Sequence, residues 1–212
     1  MAGETLTQLR TSVRSDLRDT TGATWSDTEV GDLINSGIDW INGFYPKEAI
    51  QTTAYTQPIS GELFSVALTA VNWPFRIDVY TDGGQYRETL WPSTGDGPDS
   101  GWEVHNNILF LAPHYVLPDT GTMRIFGYTG FVQLSSNTST TDMDVSAIAG
   151  MRVWVQAEAF NRLLSDRVAF QQWQVQSGNS DVSALSLNQI ALSNQARIRR
   201  EETRLRRIRR LG

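Results

Sequence analysis

The 212-residue chain has no cysteine, one lysine and two histidines. The missing cysteine excludes a disulfide framework, a thiolate metal site and a thiol nucleophile. His105 and His114 lie nine residues apart with no HxxxH or HExxH partner, which argues against a histidine metal centre. No stretch approaches the ~20 apolar residues that cross a bilayer. Met1 to Arg10 lacks a basic-then-apolar signal pattern, so the Asn137-Thr138-Ser139 sequon reads as an ordinary polar loop. A soluble protein made in a reducing compartment is expected.

Motifs for catalysis are also scarce. Gly95-Asp96-Gly97-Pro98-Asp99-Ser100-Gly101 has three residues where GxGxxG needs two, and no GKT or GKS follows. Asp96 and Asp99 do not fit a calcium loop, and no Gly-x-Ser-x-Gly elbow occurs. Asp142 and Asp144 stand two apart at a helix start, where capping accounts for them. No catalytic residue, metal site or cofactor is expected. A hydrolase with carboxylates assembled from distant strands is the less favoured alternative.

The net charge of −5 hides an asymmetry. Residues 191–212 hold eight Arg and two Glu, a charge of +6, against −11 for the preceding 190 residues. An acidic body with a basic end is poorly suited to wrapping nucleic acid over its whole surface, and suits an end that docks on something acidic.

The pattern of apolar residues is helical at both ends. Leu6, Leu9, Val13 and Leu17 share one helix face, with Arg10, Arg14 and Arg18 beside it. Asp19-Thr20-Thr21-Gly22 breaks that helix. Ser26-Asp27-Thr28-Glu29 fits a capping box, and Trp25 and Val30 are spaced for a hydrophobic staple. Leu33, Ile34, Ile38, Ile41 and Phe44 continue the stripe to Pro46. From about residue 49 to 143 Thr, Val, Tyr and Trp increase between turn residues, as in antiparallel β structure. Phe75, Ile77 and Val79 alternate with polar neighbours, 86–91 and 123–128 read as strands, and Asn106-Asn107 as a primed hairpin turn between 102–105 and 108–111. Five to seven strands in a sandwich or barrel are expected.

After the polar connector 135–141, Ile148, Met151, Val155, Ala159 and Leu163 define a helix starting near Asp144. Residues 168–176 form a short helix ended by Gly178, and Asp181 is placed to cap a long helix from Val182 towards Arg210. The fold class is therefore α+β. A discontinuous helical bundle of residues 1–47 and 144–212 carries an inserted β domain of 48–143.

On the last helix Arg197, Arg200, Arg204 and Arg207 form one stripe and Arg199, Arg206 and Arg210 a second. Ala191, Ile198, Leu205 and Ile208 make a seam, interrupted by Asn194 and Glu201, that is too thin for a core helix. Three readings compete: a solvated tail, a nucleic-acid arm and a protein-docking helix. No aromatic residue follows Trp173 to stack on bases. Arginine forks make bidentate contacts with carboxylates, which favours docking on a protein. Seven tryptophans, with Trp73, Trp91 and Trp102 in the β section, raise a carbohydrate-binding alternative; core packing accounts for them more simply.

The run Leu9-Arg10-Thr11-Ser12-Val13-Arg14-Ser15-Asp16-Leu17-Arg18-Asp19, then Trp25-Ser26-Asp27-Thr28-Glu29-Val30-Gly31-Asp32-Leu33-Ile34-Asn35, then Phe44-Tyr45-Pro46, resembles the head-to-tail adaptor proteins of tailed bacteriophages. The resemblance covers both helical portions. It implies a structural virion protein at the phage neck, in a ring of twelve copies beneath the portal protein, assembled in the bacterial cytoplasm. A stopper or tail protein would lie on the far side, with double-stranded DNA passing through unbound. It also implies that the C-terminal helix docks on the portal, through Arg197, Ile198, Arg200, Arg204, Leu205, Arg207, Ile208 and Arg210.

Overall fold

A computed structural model describes residues 3–56, 64–92, 101–112, 117, 120–176 and 178–211, with side chains excepted at 184 and 207–211. Five helices and seven strands are assigned among these residues. They are α1 (Leu6–Asp16), α2 (Asp27–Asn42), β1 (Lys47–Thr56), β2 (Ser65–Ala67), β3 (Trp73–Thr81), β4 (Tyr86–Leu90), β5 (Trp102–His105), β6 (Ile108–Leu111), β7 (Thr120–Thr129), α3 (Val145–Ser165), α4 (Arg167–Gln176) and α5 (Ala184–Leu211). The chain divides into a helical unit, Met1–Pro46 with Phe131–Gly212, and a β unit, Lys47–Gly130.

Both N-terminal helices start at capping boxes. Thr5 and Gln8 form the first, which the sequence reading passed over. In the second, Ser26 Oγ accepts the Glu29 amide (3.2 Å) and Glu29 Oε2 accepts the Ser26 amide (2.7 Å). Trp25 and Val30 are buried beside it, as a staple requires. Asp19, fully buried, organises the turn between the helices. Its carboxylate accepts the amides of Ala23, Thr24 and Trp25 and a 3.3 Å bond from Arg14, which also reaches Asp27 at 2.7 Å.

Helix α3 is buried on two faces. The expected stripe, Ile148 to Leu163, is joined by Ala147, Gly150, Ala157 and Phe160. Gly37 of α2 lies so close that a Cβ there would come within 2.9 Å of Met151 Cγ. Tyr45 donates to the Asp144 carboxylate (2.9 Å), tying the end of α2 to the cap of α3, and burial with that bond pushes the phenol up to about 12. Trp173 of α4 is buried and its indole N–H donates to the Leu17 carbonyl (3.2 Å). The cap of α5 is Ser183, whose Oγ accepts the Ser186 amide (3.1 Å), in place of the expected Asp181 and Val182 start.

The β boundary expected at 143 falls at 130. Side chains of α2 clamp the following backbone: Asn42 exchanges two bonds with Phe131 (2.7 and 3.1 Å) and Asn35, two turns earlier, exchanges two with Leu134 (2.9 and 3.2 Å). Thr5 bridges Thr140, and Arg10 donates to Asn137 Oδ1 (2.6 Å). The connector 135–141 is thus laced to the start of α1, where the Leu6 and Thr7 amides donate to the Ser139 and Asn137 carbonyls.

The β unit is two antiparallel sheets, ordered β1-β7-β3-β4 and β2-β6-β5, which do not close into a barrel among the described residues. Ile77, Val79, Met123 and Ile125 face Leu109, Leu111 and Trp102 in its core. Asn106 and Asn107 both have positive φ (52° and 62°), as a primed hairpin turn demands. Phe75 departs from the expected alternation. The β3–β7 register shifts between Pro74 and Arg76, so Phe75 is the extra residue of a bulge.

Replacing Ser26 by Ala should cost about 1 kcal/mol through the lost cap, measured by urea denaturation. The Ser26 amide and hydroxyl hold the Glu29 carboxyl below its usual 4.5, and hydrogen bonding and charge from Arg14 hold Asp27 below 3.8. Folded-state values lowered in this way add stability above the unfolded values, lost as pH falls through them. Glu29→Gln keeps the reach-back geometry that Gln8 shows in α1 and removes one titrating group. Its denaturation midpoint should therefore fall less than that of the parent between neutral pH and about pH 3.5.

Candidate functional site

The 28 residues of α5 give a rod about 42 Å long. It runs antiparallel to α3: Arg204 Nη2 donates to the Ser146 carbonyl (3.3 Å) and Arg197 Nη1 to Gln156 Oε1 (3.4 Å). Leu187, Ala191, Asn194 and Leu205 are buried, and Ile198 and Glu201 half-buried. These positions repeat at spacings of four and three, the 3.5-residue seam of a helix packed along its length on another. The seam read as too thin is therefore core. Gly150 of α3 makes room for it, since a Cβ there would stand 3.0 Å from Leu205 Cδ1. Asn194 is the seam's fully covered polar member; its carboxamide nitrogen has no hydrogen-bond partner among the described residues. Beside it a cleft of about 520 Å³ opens between Trp173, Ile190, Asn194 and Arg197.

This packing divides the expected docking set. Leu205, at 0 % exposure, belongs to the core, and Ile198 is half-covered, so neither is a free docking anchor. Arg204 is committed to Glu201 (2.7 Å) and the Ser146 carbonyl. Arg206 pairs with Glu202 (2.7 Å), four residues earlier, and lies over the Phe44 ring at 5.6 Å. Arg197 is exposed and bonds Gln156. Arg199 and Arg200 are exposed and have no carboxylate partner among the described residues. The side chains of Arg207, Ile208 and Arg210 lie outside the described residues; the helix itself continues six residues, about 9 Å, past Leu205.

The outer face of α5 holds two residues that sequence reasoning missed. Leu185 is 68 % and Leu192 58 % exposed, seven apart, and Arg199 and Arg206 continue the same seven-residue row. An exposed apolar half thus leads into an arginine half. The heptad spacing was available in the sequence, but it was assigned to a single seam through 191, 198 and 205. A surface of this kind fits a helix that presents apolar side chains and then carboxylates.

The remaining candidates separate by burial. Trp102 is in the β core with its indole donating to the Leu90 carbonyl (3.3 Å), so it leaves the carbohydrate-binding set, while Trp73 (51 %) and Trp91 (61 %) are exposed. His105 is exposed and lies 3.0 Å from Glu103. His114 and residues 95–100 lie outside the described residues. Among the described residues no three acidic or histidine side chains gather to hold a metal, and no helix is long and apolar enough to cross a membrane. No protein-family model and no curated protein matches the chain.

Leu205→Ala should destabilise the protein by about 2–5 kcal/mol, as expected for a cavity in a packed seam. Arg199→Ala and Arg200→Ala should each change stability by less than about 0.5 kcal/mol. Chemical denaturation of the three variants separates the two faces of the helix.

Proposed function

We propose that this protein is a structural virion component, a head-to-tail adaptor that forms a ring beneath the portal of a tailed bacteriophage. The observation that carries the reading is the division of α5. One face is fixed to α3, and the opposite face offers Leu185, Leu192, Arg199 and Arg200 to a partner. The capped α1–α2 hairpin that carries the family resemblance packs on the same α3. A rigid helix displayed in this way docks with little ordering cost, because its backbone is already held.

The charge distribution supports the same role. With −11 on residues 1–190, a channel lined by this body repels phosphate, so duplex DNA slides through without adhering. The positive end then grips acidic groups on the portal, and a stopper or tail protein takes the other side. Trp73 and Trp91 favour a second reading, a tail-associated carbohydrate-binding module, in which their exposed rings stack on sugars.

The double variant Arg199→Glu, Arg200→Glu tests the docking face without touching the seam. It should fold with unchanged helical content and lose co-purification with the portal protein. Retained co-purification removes the docking role from this face. Truncation ahead of residue 205 is the poorer experiment, since it takes Leu205 out of the core.

A further inference from the structure

β1 is an edge strand of the four-stranded sheet, and it is long. Its ten residues pair with β7 throughout, and among the described residues no backbone group from Ala49 to Thr56 is bonded on the other side. The run Ala49–Thr56 has no charge, proline or glycine, and Ile50 is 57 % exposed. Proteins that function as single chains protect such an edge with charge, proline, a bulge or a covering element. Among the described residues no charge, proline or bulge guards these eight residues.

We infer that this edge is the subunit contact of the oligomer, extended by β4 of the next copy. The inference rests on the ring reading, because it requires copies that all point the same way. Along the sheet β1, β7, β3 and β4 alternate in direction, each pair being antiparallel. A neighbouring copy in the same orientation therefore brings its β4 antiparallel to β1, and the sheet continues across the boundary. Such a head-to-tail contact repeats from copy to copy, as the ring of the proposed function requires, whereas β1 against β1 about a two-fold axis stops at a dimer.

On the other edge the end of β4 is already engaged, the Leu90 carbonyl accepting the Trp102 indole N–H and Pro92 bridging Trp102, so the contact uses Tyr86–Thr89. β4 has five residues, and its adjacent Arg87 and Glu88 are paired at 3.3 Å, so it opposes the neutral β1 strand without like-charge contact. A contact that short is weak alone and becomes effective when ring closure adds its neighbours. Pleating limits the register. Thr89 lies opposite Asp78, Asp78 opposite Arg124, and Arg124 opposite Thr52, which puts Thr89 and Thr52 on one face of the sheet. Ile50 and Ala54 share that face. With β4 placed on the uncharged run Ala49–Thr56, Thr89 of the next copy stands opposite Ile50, Thr52 or Ala54.

The absence of cysteine makes this directly testable. Full-length chains carrying Thr89→Cys together with Ile50→Cys, Thr52→Cys or Ala54→Cys are oxidised, alone and with the portal protein, and run on non-reducing gels. One of the three pairs should give a ladder of covalent oligomers, and each single variant should stay a single chain. Thr52→Lys with Ala54→Lys, both exposed positions, should move the protein from ring mass to single-chain mass by light scattering while its circular dichroism is unchanged. Disulfide dimers from Ile50→Cys or Thr52→Cys alone overturn the inference in favour of two-fold pairing. A ring that forms without any of the three cross-links, or that survives both lysines, overturns it and leaves the adaptor reading standing. A chain that makes no ring with or without the portal, and that the portal does not retain, overturns both.

Discussion

The helical unit depends on one constraint: α3 is apolar on two sides and must be covered on both. Met151, Val155, Ala159 and Leu163 need the N-terminal hairpin. Gly150 lies where the two covers meet, its missing Cβ leaving room for Leu205 of α5 and Ile41 of α2. The two covering elements lie at opposite ends of the chain, more than 140 residues apart between the end of α2 and the start of α5. Neither α1–α2 nor α5 buries its stripe alone, so the unit closes only when both ends meet on the middle helix. Ordering so distant a segment has an entropy cost that rises slowly with intervening length, which lets an entire β unit sit between them.

That constraint also explains which parts of the fold could be read directly from the residues. The α1 and α2 stripes, the Ser26 box, the Trp25–Val30 staple and the Asn106-Asn107 turn are local: each is defined by spacings of one to four residues and a fixed physical requirement. The boundary at 130 was not legible, because residues 131–141 have no periodicity of their own. They belong to the helical unit because Asn35 and Asn42 hold their backbone, Phe131 and Leu134 enter its core and the start of α1 binds 137–141; an asparagine on a helix face looks like any solvated residue until its partner is known. β1 was hidden similarly. Its Thr-rich run marks a strand, but nothing in it says that it is ten residues long and at an edge.

The candidate site was half legible for the same reason. The density of arginine in α5 is evident from composition, and Arg199 and Arg200 stay among the exposed residues. The apolar partners were misassigned. Leu205 and Ile198 alternate with arginine in a way that reads as an amphipathic surface helix, yet Gly150 removes the side chain that would have kept α5 away from α3. A glycine in one helix thus decides the role of a leucine in another, 55 residues later.

Fixing α5 by a seam of Leu187, Ala191, Asn194, Ile198 and Leu205 has a mechanical consequence. A seven-residue repeat sets the rotation of the helix as well as its position, so Leu185, Leu192 and Arg199 are held outward rather than free to roll inward. Asn194 strengthens that choice: a buried amide in a mainly apolar seam penalises sliding that would place it against another apolar layer, at some loss of stability. Among the described residues Arg204 and Arg206 are neutralised within the helix by Glu201 and Glu202, Arg197 bonds Gln156 of α3, and Arg199 and Arg200 form a pair with no carboxylate partner. The rotation fixed by the seam determines that the unneutralised pair faces away from α3. The basic end of this chain is therefore a directed surface, and its direction is set by apolar packing on the opposite side of the same helix.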